Sequence, residues 1–400
     1  MNTAYIFDAI RTPRGKASEK GSLHELLPLE LLSALYKALE QRNDLDPKHI
    51  NDIILGCVTQ TGEQAANVAK TSAMYAGWPQ HIPGLTLNRY CSSGIDAINF
   101  AAMKVMTGND ELVVAGGVEM MSRAPMLSDK PAAFINPKLA AKLGMLMMGN
   151  GADLIASLHN VSREDADQIA VTSHQRAHQA QQEGRFKGII PIYNPIKDVT
   201  LSHDELVRPD NSLEKLAALE PSFAELGAKG LDAVQLAGNP QLDAINHIHT
   251  AGNSPGMADA AAILLIGSEA IGKQLNLKPR AIIHGMININ DDALQVVSGC
   301  VTAAKQLMVK EGLTNEDIDL FEIHEAFAAT IAKCKQDLEI DDSKLNVNGG
   351  CLSMGHPLGA TGAVMAGTLL DELERQDLKR GIVAASGAAG AGTALLIERV

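Results

Sequence analysis

A cysteine in the run Asn88–Gly94 (NRYCSSG) is the residue whose type and position best fit a chemical role. A short apolar segment, 85–87, ends just before it, and an apolar helix is predicted to begin within a few residues of Cys91. Unpaired backbone N–H groups and the positive end of a helix dipole favour a thiolate at such a position. Because free cysteines are usually buried packing residues, position alone leaves both a nucleophile and a structural cysteine open.

Two histidines would supply a base for this thiol. His356 lies between Gly355 and Pro357 in the run GHPLGATG, which predicts a defined loop and not an apolar helix face. His324 stands at the end of a predicted strand. A thiolate beside an imidazole is a nucleophile with its activating base. The glycine-rich run that begins at Ser386 (SGAAGAG) adds small residues and backbone amides suited to an oxyanion.

Four pairs of segments recur in the same order in the two halves of the chain, which predicts an internal duplication. The pairs are 46–58 with 315–327, the loop–helix runs that start at 87 and 345, the strands 112–115 and 381–385, and the closing runs from 256 and 390. Alternating apolar strands and helices of this kind indicate α/β layers. Equivalent loops of two such halves meet across a pseudo-twofold axis, so Cys91, His324 and His356 are expected to share one cleft.

The stretch 122–249 differs from both halves in its composition and in its sequence pattern. It is rich in methionine, contains an amphipathic helix that is predicted to start at Ser162, and is neither low in complexity nor uniformly polar. We therefore predict three domains: residues 1–121 with 250–272, an inserted domain of residues 122–249, and residues 273–400. Insertions of this kind often shape ligand sites.

Composition excludes several classes of function. The 400-residue chain has 34 basic and 47 acidic residues, a net charge of −13 and only 3% aromatic residues, which disfavours nucleic acid as a partner. No apolar run reaches the roughly 18 residues of a membrane span. Five dispersed cysteines without a C-x-x-C pair indicate reduced thiols and a cytoplasmic location. The run HEAFA at His324 has Ala328 where a zinc-binding helix needs its second histidine, so no metal is expected.

Taken together, these motifs resemble the thiolase family of acetyl-CoA acyltransferases and 3-ketoacyl-CoA thiolases. NRYCSSG is similar to the family's nucleophile motif, and NVNGGCLSMGHPLGATGA is similar to its active-site histidine block. RTPRG, GGVEMMSRAP, SREDADQIAVTSHQRAHQAQQEGRF and TAGNSPGMADAAA also match, so the resemblance covers nearly the whole chain. It implies a five-layered α-β-α-β-α sandwich of two duplicated halves with an inserted loop domain. The RTPRG start and the run INHIHTAGNSPG resemble degradative members that act on long-chain acyl groups or steroid side chains.

The resemblance also implies roles for individual residues. Cys91 would be the acylated nucleophile, His356 would take its proton, and His324 would position a water or help to hold the thioester oxygen. Residues 387–392 would line the acyl site. The activity implied is thiolytic cleavage of a 3-oxoacyl-CoA into acetyl-CoA and a shortened acyl-CoA, which in reverse is a Claisen condensation. This activity belongs to fatty acid metabolism and lipid degradation.

Coenzyme A would be a co-substrate, and no permanently bound cofactor is implied. Arg208 matches an arginine that packs beside the adenine, Met148 matches a loop methionine near the pantetheine, and Ser254 lies in a loop that contacts CoA. Pro255 stands where the family usually has a serine, so one hydrogen bond to the pantetheine is in doubt. The family also implies a homo-oligomer, either a dimer or a tetramer.

Ser386 departs from the family pattern, which has at this position a second cysteine that transfers the proton of the substrate α-carbon. A serine hydroxyl is a poor general base near neutral pH. Three explanations are open: an engineered change, a natural variant that relies on His324 or Cys351, or an impaired or non-catalytic subunit that only binds acyl-CoA. We favour the natural variant because the surrounding run is coherent. A related condensing enzyme with a Cys-His-His set is a further alternative.

Overall fold

The computed structural model describes residues 2–400, which form a mixed α/β fold. The strands in this range are β1 Tyr5–Arg11, β2 Gly15–Lys16, β3 Asp52–Gly56, β4 Leu85–Leu87, β5 Leu112–Met120, β6 Ile192–Asn194, β7 Val199–Leu201, β8 Ala258–Gly267, β9 Ala281–Asn290, β10 Leu320–Ile323, β11 Arg380–Ser386 and β12 Ala391–Arg399.

The helices alternate with these strands in both halves of the chain. They are α1 Pro28–Asn43, α2 Val68–Tyr75, α3 Ser93–Thr107, α4 Ala132–Ile135, α5 Pro137–Leu143, α6 Met148–Leu158, α7 Arg163–Gln182, α8 Leu213–Ala217, α9 Ala224–Leu226, α10 Asp232–Gly238, α11 Glu269–Gln274, α12 Gly299–Glu311, α13 Ala328–Leu338, α14 Cys351–Met354 and α15 Leu358–Arg375. Within residues 2–400, none of these helices combines the length and the apolar character that crossing a membrane requires.

The strand connections repeat between the two halves. In the first half β3 runs parallel to β5, β5 runs antiparallel to β8, and β8 runs antiparallel to β1. In the second half β10 runs parallel to β11, β11 runs antiparallel to β12, and β12 runs antiparallel to β9. We call these two sets of strands the first sheet and the second sheet. They join edge to edge through a short pairing of β1 with β9. The shared order and directions confirm the predicted duplication.

Three apolar cores lie between five layers of helices and strands, and the central core fills both faces of the middle helix layer. Along β8, Ile263 and Leu265 pack with α1 and α2 on the outer face of the first sheet, whereas Leu264 and Ile266 pack with α3 and α15 on its inner face. This alternation follows from the two-residue period of a strand, and every residue of β8 is buried. The inner face of the second sheet also contacts α3 and α15, and its outer face packs against α12 and α13. The α-β-α-β-α sandwich implied by the resemblance is confirmed.

Two glycines allow the central helices to cross closely at their N-terminal ends. A Cβ atom on Gly94 of α3 would lie 2.8 Å from a backbone nitrogen of α15, and one on Gly362 of α15 would lie 2.5 Å from a backbone nitrogen of α3. Any larger residue at either position would push the two backbones apart. Cys91 precedes α3 and His356 precedes α15, so this crossing brings the two loops that carry them together.

The stretch 122–249 contains α4 to α10 and the hairpin of β6 and β7, and a buried ion pair ties it to the first sheet. The Arg11 guanidinium of β1 donates to both carboxylate oxygens of Asp204, at 2.6 and 2.8 Å. Both side chains are almost fully buried. Breaking such a pair typically costs about 3–5 kcal/mol, because the remaining charge is left without a partner in the interior.

Candidate active site

A cavity of about 580 Å³ is lined by residues from both halves and from the stretch 122–249. The four predicted catalytic residues, Cys91, His324, His356 and Ser386, all lie in its wall. They come from the loop before α3, the end of β10, the loop before α15 and the end of β11. The predicted convergence of Cys91, His324 and His356 in one cleft is therefore observed, and Ser386 lies in the same wall.

The backbone around Cys91 forms a tight turn before α3. Tyr90 has a φ of +50°, in the left-handed region that side chains other than glycine rarely adopt. Its N–H donates to Asn88 Oδ1 at 2.8 Å, which satisfies the turn internally. The hydroxyl of Ser92 donates to the carbonyl of Ala385 at 2.8 Å and so fixes the turn to the second sheet. Backbone strain of this kind at a reactive residue is typical of functional sites.

The Cys91 thiol is protonated in the resting site. Although the residue keeps part of its surface open, burial of the thiol, and next the Glu119 carboxylate and Cys351, raise the pKa of Cys91 to about 12. Loss of hydration and a nearby negative charge therefore oppose the thiolate that the helix end is expected to favour. Nucleophilic attack by Cys91 thus requires a base that removes its proton.

His356 lines the same cavity as Cys91 and is the residue expected to act as that base. Gly355 has a φ of +93°, a conformation that favours glycine, and it turns the chain so that the His356 N–H donates to the Gly256 carbonyl at 2.8 Å. The ring Nδ1 is hydrogen-bonded to Thr361 Oγ1 at 2.7 Å, which leaves Nε2 as the free nitrogen. Burial, helped by His324 and the Arg14 guanidinium, holds the pKa of His356 well below its usual range. The ring is therefore neutral and can accept a proton.

His324 lies beside this base with unused hydrogen-bonding capacity. Its ring centroid is 4.5 Å from that of His356. The side chain is only 2% exposed, yet neither ring nitrogen makes a well-formed hydrogen bond among residues 2–400, although the Ser386 backbone lies close to the ring. Burial lowers the pKa of His324 to about 4, so this ring is also neutral. A buried imidazole with two unpaired nitrogens, in the wall of a cavity, is available to a substrate or to a proton donor.

The hydroxyl of Ser386 is already occupied by the protein. It donates to the Val297 carbonyl at 2.7 Å and accepts from the Cys300 N–H at 2.9 Å. Both partners belong to the region where α12 begins, so Ser386 joins the end of β11 to that helix. This serine is positioned as a structural residue rather than as a proton acceptor for a substrate.

The glycine-rich run after Ser386 offers fewer free amides than its composition suggests. The Gly387 N–H donates to the Ala391 carbonyl at 2.7 Å, and the Gly390 N–H donates to the Val296 carbonyl at 2.9 Å. Of this run, Gly387 and Ala388 are in the cavity wall. The amide of Ala388 is thus the better placed to bind an oxyanion.

Two polar residues that orient the site were not predicted from the sequence. Glu119 accepts from the backbone N–H groups of Val58 at 2.9 Å and Gly359 at 3.0 Å, and so ties the loop after β3 to the start of α15. A carboxylate within the otherwise apolar strand β5 was the signal that could have revealed it. Thr361, the partner of His356, lies five residues after it in the same glycine-rich motif.

A second thiol lies beside the two imidazoles. The sulfur of Cys351 and one ring nitrogen each of His324 and His356 all lie within 4.8 Å of one another. Nitrogen and sulfur donors of this kind occur in zinc sites. The Arg14 guanidinium, however, lies close enough to influence the pKa values of all three groups. A buried positive charge there disfavours a divalent cation and favours a thiolate.

The residues expected to bind coenzyme A are divided between two places. Met148 and Ser254 lie in the cavity wall, and the Ser254 hydroxyl has no partner in the described part of the chain. Arg208 is exposed on the surface outside this wall, where its backbone N–H donates to His174 Nδ1 at 3.0 Å. Pro255 also lines the cavity.

The rest of the cavity wall is mainly apolar, and much of it comes from the stretch 122–249. The large apolar side chains in it are Met126, Leu127, Phe134, Met147, Phe223, Leu226, Phe327 and Leu358. An apolar wall of this size suits a hydrocarbon chain rather than a small polar group.

Comparison with known proteins agrees with this geometry. The thiolase N-terminal domain model matches residues 4–230, and the thiolase C-terminal domain model matches residues 277–399. The chain is 38% identical to the 3-ketoacyl-CoA thiolase of Klebsiella pneumoniae subsp. pneumoniae and 37% identical to that of Colwellia psychrerythraea, in both cases over the full length of both chains. The crystal structure of the Bacillus anthracis acetyl-CoA acetyltransferase is similar with a TM-score of 0.86 and 34% identity, covering 100% of this chain and 99% of that one. The chain therefore belongs to the thiolase family.

Proposed function

We propose that this protein cleaves 3-oxoacyl-CoA substrates with coenzyme A, giving acetyl-CoA and an acyl-CoA shortened by the acetyl unit. The observation that carries the proposal is the meeting of Cys91 and a neutral His356 in one apolar-walled cavity. The 3-ketoacyl-CoA thiolases among its relatives support it. Run in reverse, the same groups would perform a Claisen condensation.

In the first half-reaction His356 takes the proton of Cys91, and the thiolate attacks the ketone carbonyl of the substrate. The bond between the α- and β-carbons then breaks, leaving the acyl group on Cys91 and acetyl-CoA as its enolate. The amide of Ala388 and the ring of His324 are the donors available for the developing oxyanions. The enolate must finally receive a proton at its α-carbon.

In the second half-reaction coenzyme A takes the acyl group from Cys91. The CoA sulfur attacks the thioester as its proton passes to the neutral ring of His324, which offsets the proton taken up by the enolate, and His356 returns its proton to the departing Cys91 sulfur. Met148 and Ser254 would contact the pantetheine arm, since both line the cavity that contains Cys91. No permanently bound cofactor or metal is needed for either step.

The cavity favours acyl chains longer than an acetyl group. The mainly apolar wall supports this, because a longer hydrocarbon chain would bury more of its surface there than an acetyl group would. The direct test is CoA-dependent cleavage of acetoacetyl-CoA and of longer or bulkier 3-oxoacyl-CoA substrates, with kcat/KM compared along the series. We expect turnover that rises with chain length. Binding without cleavage of any member would instead indicate a non-catalytic subunit, and condensation without cleavage would indicate a condensing enzyme.

We expect Arg208→Ala to raise the KM for coenzyme A several-fold. Acylation of Cys91 by substrate that is already bound should be nearly unchanged. A guanidinium stacked on an aromatic ring is worth about 0.5–2 kcal/mol, and Arg208 is exposed and free to reach an adenine outside the cavity. Steady-state kinetics with varied CoA measure the effect. Lys215→Ala is the control, because it removes one exposed positive charge from the same part of the chain. An equal change in both variants would contradict a specific role for Arg208.

We further propose that the chain forms a homodimer through the edge of its first sheet, on its own or within a tetramer. Strand β4 ends the sheet and leaves one side without a partner strand in the described chain. Leu85 of this strand and Phe100 and Met103 of α3 are exposed by 45%, 38% and 39%. An open edge beside apolar side chains is typical of an interface. Sedimentation should therefore give at least twice the 42.4 kDa of one chain.

We also propose a cytoplasmic location for the protein. All five cysteines are free thiols, which fits a reducing compartment, and the relatives described above are bacterial.

A further inference from the structure

We propose that Cys351, acting through His324, supplies the proton that the acetyl-CoA enolate takes up after the carbon–carbon bond breaks. The inference rests on the proposed function and names the groups that perform its proton transfer at the α-carbon. Cys351 would act as a positioning and relay residue, whereas His324 would be the catalytic residue that touches the substrate.

The serine at position 386 cannot readily perform this transfer. Its hydroxyl proton is donated to the Val297 carbonyl, and its oxygen already accepts a backbone N–H. Cys300, whose thiol and backbone N–H both meet the Ser386 hydroxyl, is fully buried in the outer core and reaches the cavity only through that serine, whose proton is already donated to the Val297 carbonyl. The proton must therefore come from another group.

Cys351 is the thiol that lies next to both imidazoles. Its sulfur is within 4.8 Å of a ring nitrogen of His324 and of His356. Cys351 is 2% exposed and is not itself in the cavity wall, so it reaches the substrate only through a neighbour. His356 has Nδ1 bonded to Thr361 and needs its other nitrogen for Cys91. Neither nitrogen of His324 makes a well-formed hydrogen bond within the described residues, so this ring can take a proton on one side and give one on the other.

The surroundings of Cys351 suit a group that loses and regains a proton. Burial, with Glu325 and Glu322, raises the pKa of Cys351 to about 12, so the resting thiol holds its proton. The Arg14 guanidinium beside it favours the thiolate. Arg14 donates through Nη1 to the Gly355 carbonyl at 2.8 Å, and its Nε has no partner among the described residues. This positive charge would stabilise the thiolate once the proton has left.

The proton transfers balance over the catalytic cycle. When the bond between the α- and β-carbons breaks, its electron pair goes to the enolate, whose α-carbon takes a proton from one nitrogen of His324. The other nitrogen takes the proton of Cys351 and leaves a thiolate beside Arg14. In the second half-reaction the Cys351 thiolate regains its proton through His324 from the CoA thiol, but a free thiol, with a pKa of about 8.5, is acidic enough to attack the acyl group without this relay. His356 serves Cys91 throughout, and no oxidant or reductant is required.

The test compares Cys351→Ala and the near-isosteric Cys351→Ser with a Cys300→Ala control in the full chain. Cleavage of a 3-oxoacyl-CoA reports both half-reactions, and exchange of label between CoA and a simple acyl-CoA reports acyl transfer through Cys91 alone. We expect both Cys351 variants to lose about 10²- to 10⁴-fold in cleavage, the usual effect of removing a general acid. Label exchange should stay within a few-fold of wild type, and Cys300→Ala should change neither rate by more than that.

Two further measurements separate a proton relay from a structural effect. Proton NMR in D₂O should show the wild type exchanging the methyl protons of acetyl-CoA and the Cys351 variants failing to do so. Adding Ser386→Cys to Cys351→Ala should restore the cleavage rate at least about tenfold. This recovery is a small part of the roughly 10²- to 10⁴-fold loss that is usual when a general acid is removed.

The relay is overturned if Cys351→Ala keeps cleavage and methyl-proton exchange within a few-fold of wild type, or if it loses label exchange as strongly as cleavage. A wild type that exchanges label and methyl protons but never cleaves 3-oxoacyl-CoA would overturn the proposed function and leave the relay supported. A wild type that exchanges no methyl protons would overturn the relay itself.

Discussion

Replacing Cys91 by alanine is expected to lower the rate of 3-oxoacyl-CoA cleavage by a factor on the order of 10⁶, the size of effect seen when a covalent nucleophile is removed from an enzyme. The reason is that both half-reactions pass through an acyl group on this sulfur. Because Cys91 is one small part of a wide cavity wall, substrate binding should change little. Initial rates and a direct binding measurement on the same variant test both statements.

The matched control for this variant is Cys334→Ala. Cys334 is a buried thiol in the outer core and does not line the cavity, so its loss should leave the rate within a few-fold of wild type. A Cys91→Ala variant that still cleaved substrate within tenfold of the wild-type rate would show that another group is the nucleophile.

Replacing His356 by alanine is expected to slow acylation of Cys91 by about 10²- to 10⁴-fold, because a thiol with a raised pKa then loses the base proposed for it. Deacylation should slow as well, in contrast to the Cys351 variants, whose acyl transfer is preserved. Rapid-quench measurement of acyl-enzyme formation gives the acylation rate directly. The exposed His203→Ala is the control for loss of a histidine.

The pH dependence of wild-type acylation provides a second check on His356. A base acts only when it is unprotonated, and the pKa of His356 lies well below the ordinary histidine value of 6.5. Lowering the pH toward 6.5 should therefore not reduce the acylation rate through protonation of this ring. Two results together would contradict a neutral resting base. The wild-type rate would fall at low pH with an apparent pKa near 6.5 or above, and this pH dependence would be absent in His356→Ala.

The layered fold and the meeting of the catalytic loops were predictable from the sequence. Buried strands, repeated loop–helix runs and the glycines at 94 and 362 are local features, and they determine which ends of α3 and α15 come together. The same local signals predicted Cys91 and His356 as site residues. What the resemblance added was the number of layers, the roles of the individual site residues, the coenzyme and the expected role of position 386.

The remaining features depend on contacts between distant parts of the chain. The raised pKa of Cys91 comes from burial and from the Glu119 carboxylate. Neither effect can be deduced from the position of Cys91 before a helix. Ser386 is hydrogen-bonded to Cys300 and Val297, which precede it by 86 and 89 positions in the chain. Its structural role could therefore not be predicted from its own motif. Arg208 lies on the surface outside the cavity because the loop that carries it is anchored elsewhere through His174.

The most direct test of the proposed chemistry is mass spectrometry of the wild-type protein after mixing with a 3-oxoacyl-CoA in the absence of free coenzyme A. We expect the intact mass to rise by the shortened acyl group, the peptide map to place that group on Cys91, and acetyl-CoA to appear in matching amount. An adduct on another residue, an adduct that keeps the full 3-oxoacyl chain, or no adduct with unchanged substrate would contradict carbon–carbon cleavage at Cys91.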